Sequence, residues 1–224
     1  MDPFVPVFVS LVFIATTFIT LWLFSNATPY RRHIIVFSIL WLALQALVAL
    51  TGFYLNFEAT PPRFILLALP AVLFIIILFL LRPGRIFIDS FDQQKLTWVH
   101  AVRVPVEIVL FWLFVYGQVP EIMTFEGRNF DILSGLTAPF IAVFGFRRMK
   151  LSNRFIICWN LICLILLFNI VITAILSAPI PIQKFGLQQP NVAVMYFPFI
   201  WLPCFIVPVV LFSHLIQIRK LLIK

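Results

Sequence analysis

FDILSGLTAPFIAVFGFRRMK, running from Phe130 to Lys150, is the stretch on which the topology turns. Its apolar part, residues 130–146, sits at the lower length limit for a helix that crosses a bilayer, about 17 residues. It ends on the basic cluster Arg147, Arg148 and Lys150. Read as a full span, it predicts an all-α integral membrane protein, a seven-transmembrane helix bundle with the N-terminus outside and the C-terminus cytoplasmic. Read as a re-entrant segment, it leaves six spans and sends the C-terminus to the other side.

Working outward, the other apolar runs fall near 4–24, 34–57, 63–81, 99–119, 155–177 and 193–216, separated by short clusters of charge, Pro and Gly. Lys and Arg near span ends are retained on the cytoplasmic side, so the loops choose between six and seven. After the odd-numbered spans come Arg31, Arg32, Arg82, Arg85, Lys95, Arg147, Arg148, Lys150, Arg154, Arg219, Lys220 and Lys224, twelve of the 16 basic residues. The opposite face holds Arg63, Arg128 and Lys184, while Arg103 lies within a span. That asymmetry favours seven spans within a single transmembrane domain over 1–224.

Composition agrees. The 224 residues are 63% hydrophobic and 11% charged, against roughly 45–50% and 25% in soluble domains. The +8 net charge is accounted for by the loop residues that orient the spans, so it calls for no nucleic-acid partner. The expected partners are the lipid bilayer and a membrane protein or a second copy of the chain. Met1-Asp2-Pro3-Phe4 enters the first apolar run without a basic leader or small-residue cleavage site, so that run is expected to stay as the first helix. Asn26-Ala27-Thr28 fits a glycosylation sequon but falls on the cytoplasmic side. Cys158, Cys163 and Cys204 lie in apolar runs at no metal or disulfide spacing and read as core residues.

The fourth span carries the most chemistry. His100, Arg103, Glu107 and Gln118 fall on one helical face at 100° per residue. An ionisable group at membrane depth is costly and marks a candidate functional site. Arg103 and Glu107, at i and i+4, could equally neutralise each other as a structural pair. Pro105 between them removes one backbone donor and frees the Ala101 carbonyl. In the seventh span Pro198, Pro203 and Pro208 free carbonyls near Val194, Phe199 and Cys204, a pattern of broken helices that transporters use for midplane sites. Weaker polar lines run along the first, second and sixth spans and serve equally as glue between helices.

On the outer face Glu121, Glu126, Arg128 and Asp131 gather between the fourth and fifth spans as a solute entrance, a cation site or a salt-bridged loop, with Asp131 also placed to cap the next helix. His33, His100 and His214 project to the cytoplasmic ends of three spans, at a depth where they are candidates for a haem or metal site. No cofactor is otherwise predicted. There is no phosphate loop, nucleophile elbow or HExxH, so nothing calls for an enzyme.

Around HAVRVPVEIVLFWLF (100–114) and FEGRNFDILSGLTAP (125–139) the chain resembles an uncharacterised family of small bacterial membrane proteins with a similar Arg-x-Pro-x-Glu helix and Gly-Arg-Asn-Phe-Asp turn. The resemblance, over about 99–140, implies placement in the bacterial inner membrane and says nothing about catalysis, since the family has no known activity. A rhodopsin-like Schiff base is excluded, since no lysine lies in any proposed span. The function expected is transport or binding of a small polar solute or protons through the bundle. The alternatives are a non-catalytic accessory subunit and a haem- or metal-binding membrane protein.

Overall fold

A computed structural model describes residues 5–57, 59 and 62–223, all helical or irregular with no strand among them. Phe4, which opens the expected first span, and Lys224 lie outside the described residues. The helices are α1 (Val7–Ser25), α2 (Arg31–Leu50), α3 (Ile65–Leu80), α4 (Arg82–Asp89), α5 (Gln93–Val115), α6 (Ile132–Arg147), α7 (Asn153–Leu176) and α8 (Leu202–Ile223). Five of them, α1, α2, α5, α7 and α8, are long and apolar enough to cross a membrane. A sixth crossing results if α3 and α4 count as one bent span, and α6 is shorter.

The boundaries move for local reasons. The expected second span ends seven residues early, at Leu50, because Gly52 adopts φ 73° and turns the chain out of the helix. Gly117, at φ 75°, does the same after α5. The third apolar run is α3, but the chain bends by 96° into α4, so Arg82 and Arg85 lie on a separate amphipathic turn. Gly84 permits this fold-back, because a Cβ there would run into the Leu78 carbonyl.

The chain ends and turns group into two ends. Asp92 N–H donates to the Ala27 carbonyl at 2.7 Å and Thr28 bonds Ser90 at 2.7 Å, tying the α1–α2 turn to the α4–α5 turn. The C-terminal part of α8 joins them through Arg219–Asp89 at 3.2 Å, and Lys220 donates to the Asp89 carbonyl at 2.9 Å. The end of α6 packs on the first turns of α5. Arg31 and Arg32 at the start of α2, Arg82 and Arg85 of α4, Arg147 at the end of α6, and Arg219 and Lys220 near the end of α8 therefore share one end of the bundle.

α5 and α8 are the inner helices. Val9 and Phe13 of α1, Leu96, Val99 and Leu113 of α5, and Ile216 of α8 are fully or almost fully buried in one apolar core. The proline-rich segment resolves into an irregular approach, with α8 beginning only at Leu202, nine residues after the expected start. Of the three prolines only Pro208 interrupts a formed helix, at the junction between its wide first turn (202–206) and the regular part. The Cys204 carbonyl that Pro208 frees accepts the Trp41 indole N–H from α2 at 2.9 Å, and Trp201 returns the contact to the Leu42 carbonyl at 3.0 Å. Phe199 C=O accepts from Leu202 N–H at 2.9 Å. Trp41→Phe keeps an aromatic side chain and strands the Cys204 carbonyl, an expected loss of about 1–3 kcal/mol. Unfolding in mixed detergent micelles would measure it; unchanged stability would show that the bond contributes nothing.

Candidate functional site

α5 carries one polar face that continues beyond the one expected. Gln93, Thr97, His100, Arg103 and Glu107 follow one another at steps of four, three, three and four, and all five are buried. A regular helix makes such positions neighbours. Gln118 does not belong to this face, because it lies past the Gly117 turn, half-buried, with its amide on the Tyr116 carbonyl.

Partners for this face come from three other helices. At the basic end, Gln217 of α8 donates to Thr97 Oγ1 at 2.7 Å and to the Gln93 carbonyl at 3.0 Å. One turn deeper, His100 stacks on His214 with ring centroids 3.8 Å apart and planes at 18°, and the Trp159 ring stands against both. The ring nitrogens of His100 make no hydrogen bond of normal geometry, with Gln217 the polar group beside them.

Arg103 is the hub. Its Nη1 lies 2.9 Å from Asp131 Oδ1 at the start of α6, with both side chains almost wholly buried. Nη2 lies 3.2 Å from His214 Nε2, and Nη1 also reaches the Cys163 carbonyl at 3.4 Å. His214 Nδ1 is 2.6 Å from Asn160 Oδ1, while Asn160 Nδ2 donates to the Ile156 carbonyl at 2.9 Å. A guanidinium has donors only, so Nε2 of His214 accepts and Nδ1 carries the proton. The network thus fixes one neutral tautomer of His214.

Glu107 sits at the far end of the column. Asn129 Nδ2 approaches both of its carboxylate oxygens, at 2.7 and 2.6 Å, and also the Met123 carbonyl at 3.0 Å. Asn129 Oδ1 accepts the Asp131 N–H at 3.1 Å. The turn that delivers it is closed by the Thr124 carbonyl, which accepts from Gly127 and Asn129 at 3.0 and 3.2 Å. Arg103 and Glu107 are therefore not the isolated pair their i, i+4 spacing suggests. The cation is neutralised across helices by Asp131, and Glu107 is held by an amide.

The outer-face group divides. Glu121, Glu126 and Arg128 are exposed and make no ion pair among the described residues, whereas Asp131 is buried on Arg103 and its carboxylate does not cap α6. The histidines divide too. His100 and His214 meet, but His33 is exposed on α2, beside Tyr30 and a separate apolar cavity of about 450 Å³. Among the described residues no three His, Cys, Asp or Glu side chains converge as metal ligands would. Of the weaker polar lines, Thr17 and Thr20 bond carbonyls of their own helix, and Gln45 accepts from Tyr54 at 2.7 Å.

Glu107 and Asp131 also form part of the wall of a cavity of about 690 Å³. It lies between α3 and α7, bounded by Leu110 of α5, Ala174 of α7 and Pro203 of α8, and its remaining wall is almost entirely apolar. This is within the range of small-molecule sites, about 300–1,000 Å³, and combines an apolar body with a few convergent polar groups.

No curated protein and no solved structure matches the chain. A family model described as a domain of unknown function, DUF8737, matches residues 61–222. That span contains every member of the polar column and leaves out α1 and α2, so the column is contained within the family domain. The chain belongs to the DUF8737 family.

Proposed function

We propose that this protein is a seven-span membrane protein, N-terminus outside and C-terminus cytoplasmic, that binds or carries a solute or protons through the bundle at Glu107. The observation that carries the reading is the buried polar column leading from the basic end of the bundle to a cavity. From Gln93 to Glu107 it rises about 21 Å along α5, a large part of a hydrocarbon layer of about 30 Å. Ionisable groups at such depth face protein or water and mark solute and proton paths. α6 and the bent α3–α4 pair are the sixth and seventh crossings. The grouping of basic residues at one end supports a cytoplasmic C-terminus. The bacterial inner membrane is the proposed location.

The column has two parts. Glu107 faces the cavity, and its charged neighbours are Arg103 on its own helix and Asp131 just before α6. The His100–His214 pair lies on the cytoplasmic side of Arg103. The guanidinium, which itself accepts no proton, pairs with Asp131 on one side and donates to His214 on the other.

Glu107→Gln tests this directly. Gln keeps an acceptor for Asn129 and the shape of the side chain, so the variant should melt and migrate as the parent does. Proteoliposomes loaded with a pH-sensitive dye should lose pH-gradient-driven proton movement. A variant that moves protons like the parent, or a parent that moves none, removes the proton reading. A variant that instead loses stability and oligomeric state favours an accessory subunit held together by these polar groups.

A further inference from the structure

We infer that the cavity beside Glu107 binds an amphipathic amine, a molecule with an apolar chain or ring body and one protonated amino group, taken sideways from the bilayer. The inference rests on the reading of that cavity as a site within a membrane protein, and it assigns the class of ligand.

The polar atoms in the cavity wall are predominantly acceptors. Glu107 and Asp131 contribute carboxylates. Asn191 also lines the cavity; its Nδ2 is committed to the Ala174 carbonyl at 3.1 Å, while its Oδ1 is buried without a hydrogen-bond partner among the described residues. The nearby cation, Arg103, does not line the cavity and is already shared among Asp131, His214 and the Cys163 carbonyl. Asn129 has two amide hydrogens for three acceptors, the two Glu107 oxygens and the Met123 carbonyl, so Glu107 keeps acceptor capacity open to the cavity. Two acids share one guanidinium, so the cavity wall holds one acid more than its bases, a setting in which an entering positive charge is favoured. An amine supplies that charge and N–H donors for the open acceptors, whereas a fatty acid would bring a third carboxylate to the same place.

The body of the ligand is set by the rest of the wall, and its route by the rim. Ile65 and Leu69 of α3 and Ile182 of the loop after α7 line the cavity and are exposed, so its rim is apolar, and in a membrane-spanning bundle the α3 side of that rim lies against acyl chains. An apolar molecule dissolved in the bilayer reaches Glu107 without crossing the polar loops.

The test uses the full chain in nanodiscs of zwitterionic lipid and a dodecylamine that carries a photoreactive diazirine near the chain end, with cross-linked residues located by peptide mass spectrometry. Labelling should fall on cavity residues such as Leu110, Val171 and Ala174. Unlabelled dodecylamine should suppress it, and dodecanoic acid at the same concentration should not. Glu107→Gln should weaken competition by dodecylamine at least about tenfold, and Ala174→Trp, which fills the cavity, should abolish labelling. Equal competition by the acid, labelling confined to residues outside the cavity, or an unchanged profile in Glu107→Gln would overturn the inference. Proton movement that depends on Glu107 with no amine in the cavity sinks this inference and leaves the proton reading standing. Amine labelling of the cavity in a protein that moves no protons does the reverse.

Discussion

Asp131→Asn is expected to cost about 3–5 kcal/mol, because it leaves the Arg103 guanidinium buried without its counter-charge. Arg103 is 2% exposed and Asp131 4%, so water cannot take over the role of the carboxylate. The matched change Glu107→Gln should cost far less, since Asn129 keeps an acceptor and Arg103 keeps Asp131. That contrast separates the observed pairing from the pairing along one helix, Arg103 with Glu107, for which the two substitutions would exchange ranks. Arg103→Gln should be severe as well, since it leaves Asp131 without its cation and His214 Nε2 without its donor. The double variant Arg103→Gln/Asp131→Asn should be more stable than the sum of the two single losses by about 1–3 kcal/mol, the coupling expected of residues in direct contact. Unfolding in mixed detergent micelles gives all four corners of the cycle, and strict additivity would show that the two side chains do not act as a pair.

The part of this site legible in the sequence is the part that lies on one helix. The positions of His100, Arg103 and Glu107 follow from helical spacing alone, and the seven apolar segments are visible as runs. Gln93, Thr97 and Gln217 were hidden by the span edges, since apolar windows over 99–119 and 193–216 assign polar end turns to loops. Here those turns are buried by bonding one another across α5 and α8. Extending the three- and four-residue steps backward from His100 would have recovered Thr97 and Gln93. Asn160 carried a signal of its own, a lone amide within the apolar run FIICWNLICLILLF. Its partner, His214, lies 54 residues away and only the packing of α7 on α8 joins them.

The prolines show the same limit from the other side. Sequence identifies which carbonyls lose a donor, but the consequence depends on what replaces it. For Pro208 the replacement is an indole from α2, which makes a potential break into a bond between helices. For Pro105 the disturbance is absorbed within the helix. Residues 100–102 tighten to a narrower turn, in which Arg103 N–H bonds the carbonyls of His100 and Ala101. α5 continues through it and keeps Arg103 and Glu107 on one side.

Gly135→Val is expected to cost about 3 kcal/mol or more. A Cβ on Gly135 would lie 2.8 Å from Val104 Cγ2, 3.0 Å from Val104 N and 3.2 Å from Arg103 Cβ. Two of those neighbours are the backbone and the first side-chain carbon of α5, which cannot swing aside, so α6 itself must move out. Small residues at helix contacts in lipid allow this closeness, and Ser134 and Ala138 beside Gly135 are likewise buried. Moving α6 also carries Asp131 away from Arg103, so the substitution acts on packing and on the ion pair together. Gly145→Ala, on the same helix, is the control. Its Cβ would meet the tip of Ile156 at 3.1 Å, a flexible group that can yield. Exchanging Gly for Ala within a helix favours the folded chain by up to about 1 kcal/mol, so the control should lie near neutral or above. Thermal unfolding of both variants alongside the parent would measure the difference. Equal stabilities would mean that α6 does not rest on α5 at Gly135, and the route by which Asp131 reaches Arg103 would need another support.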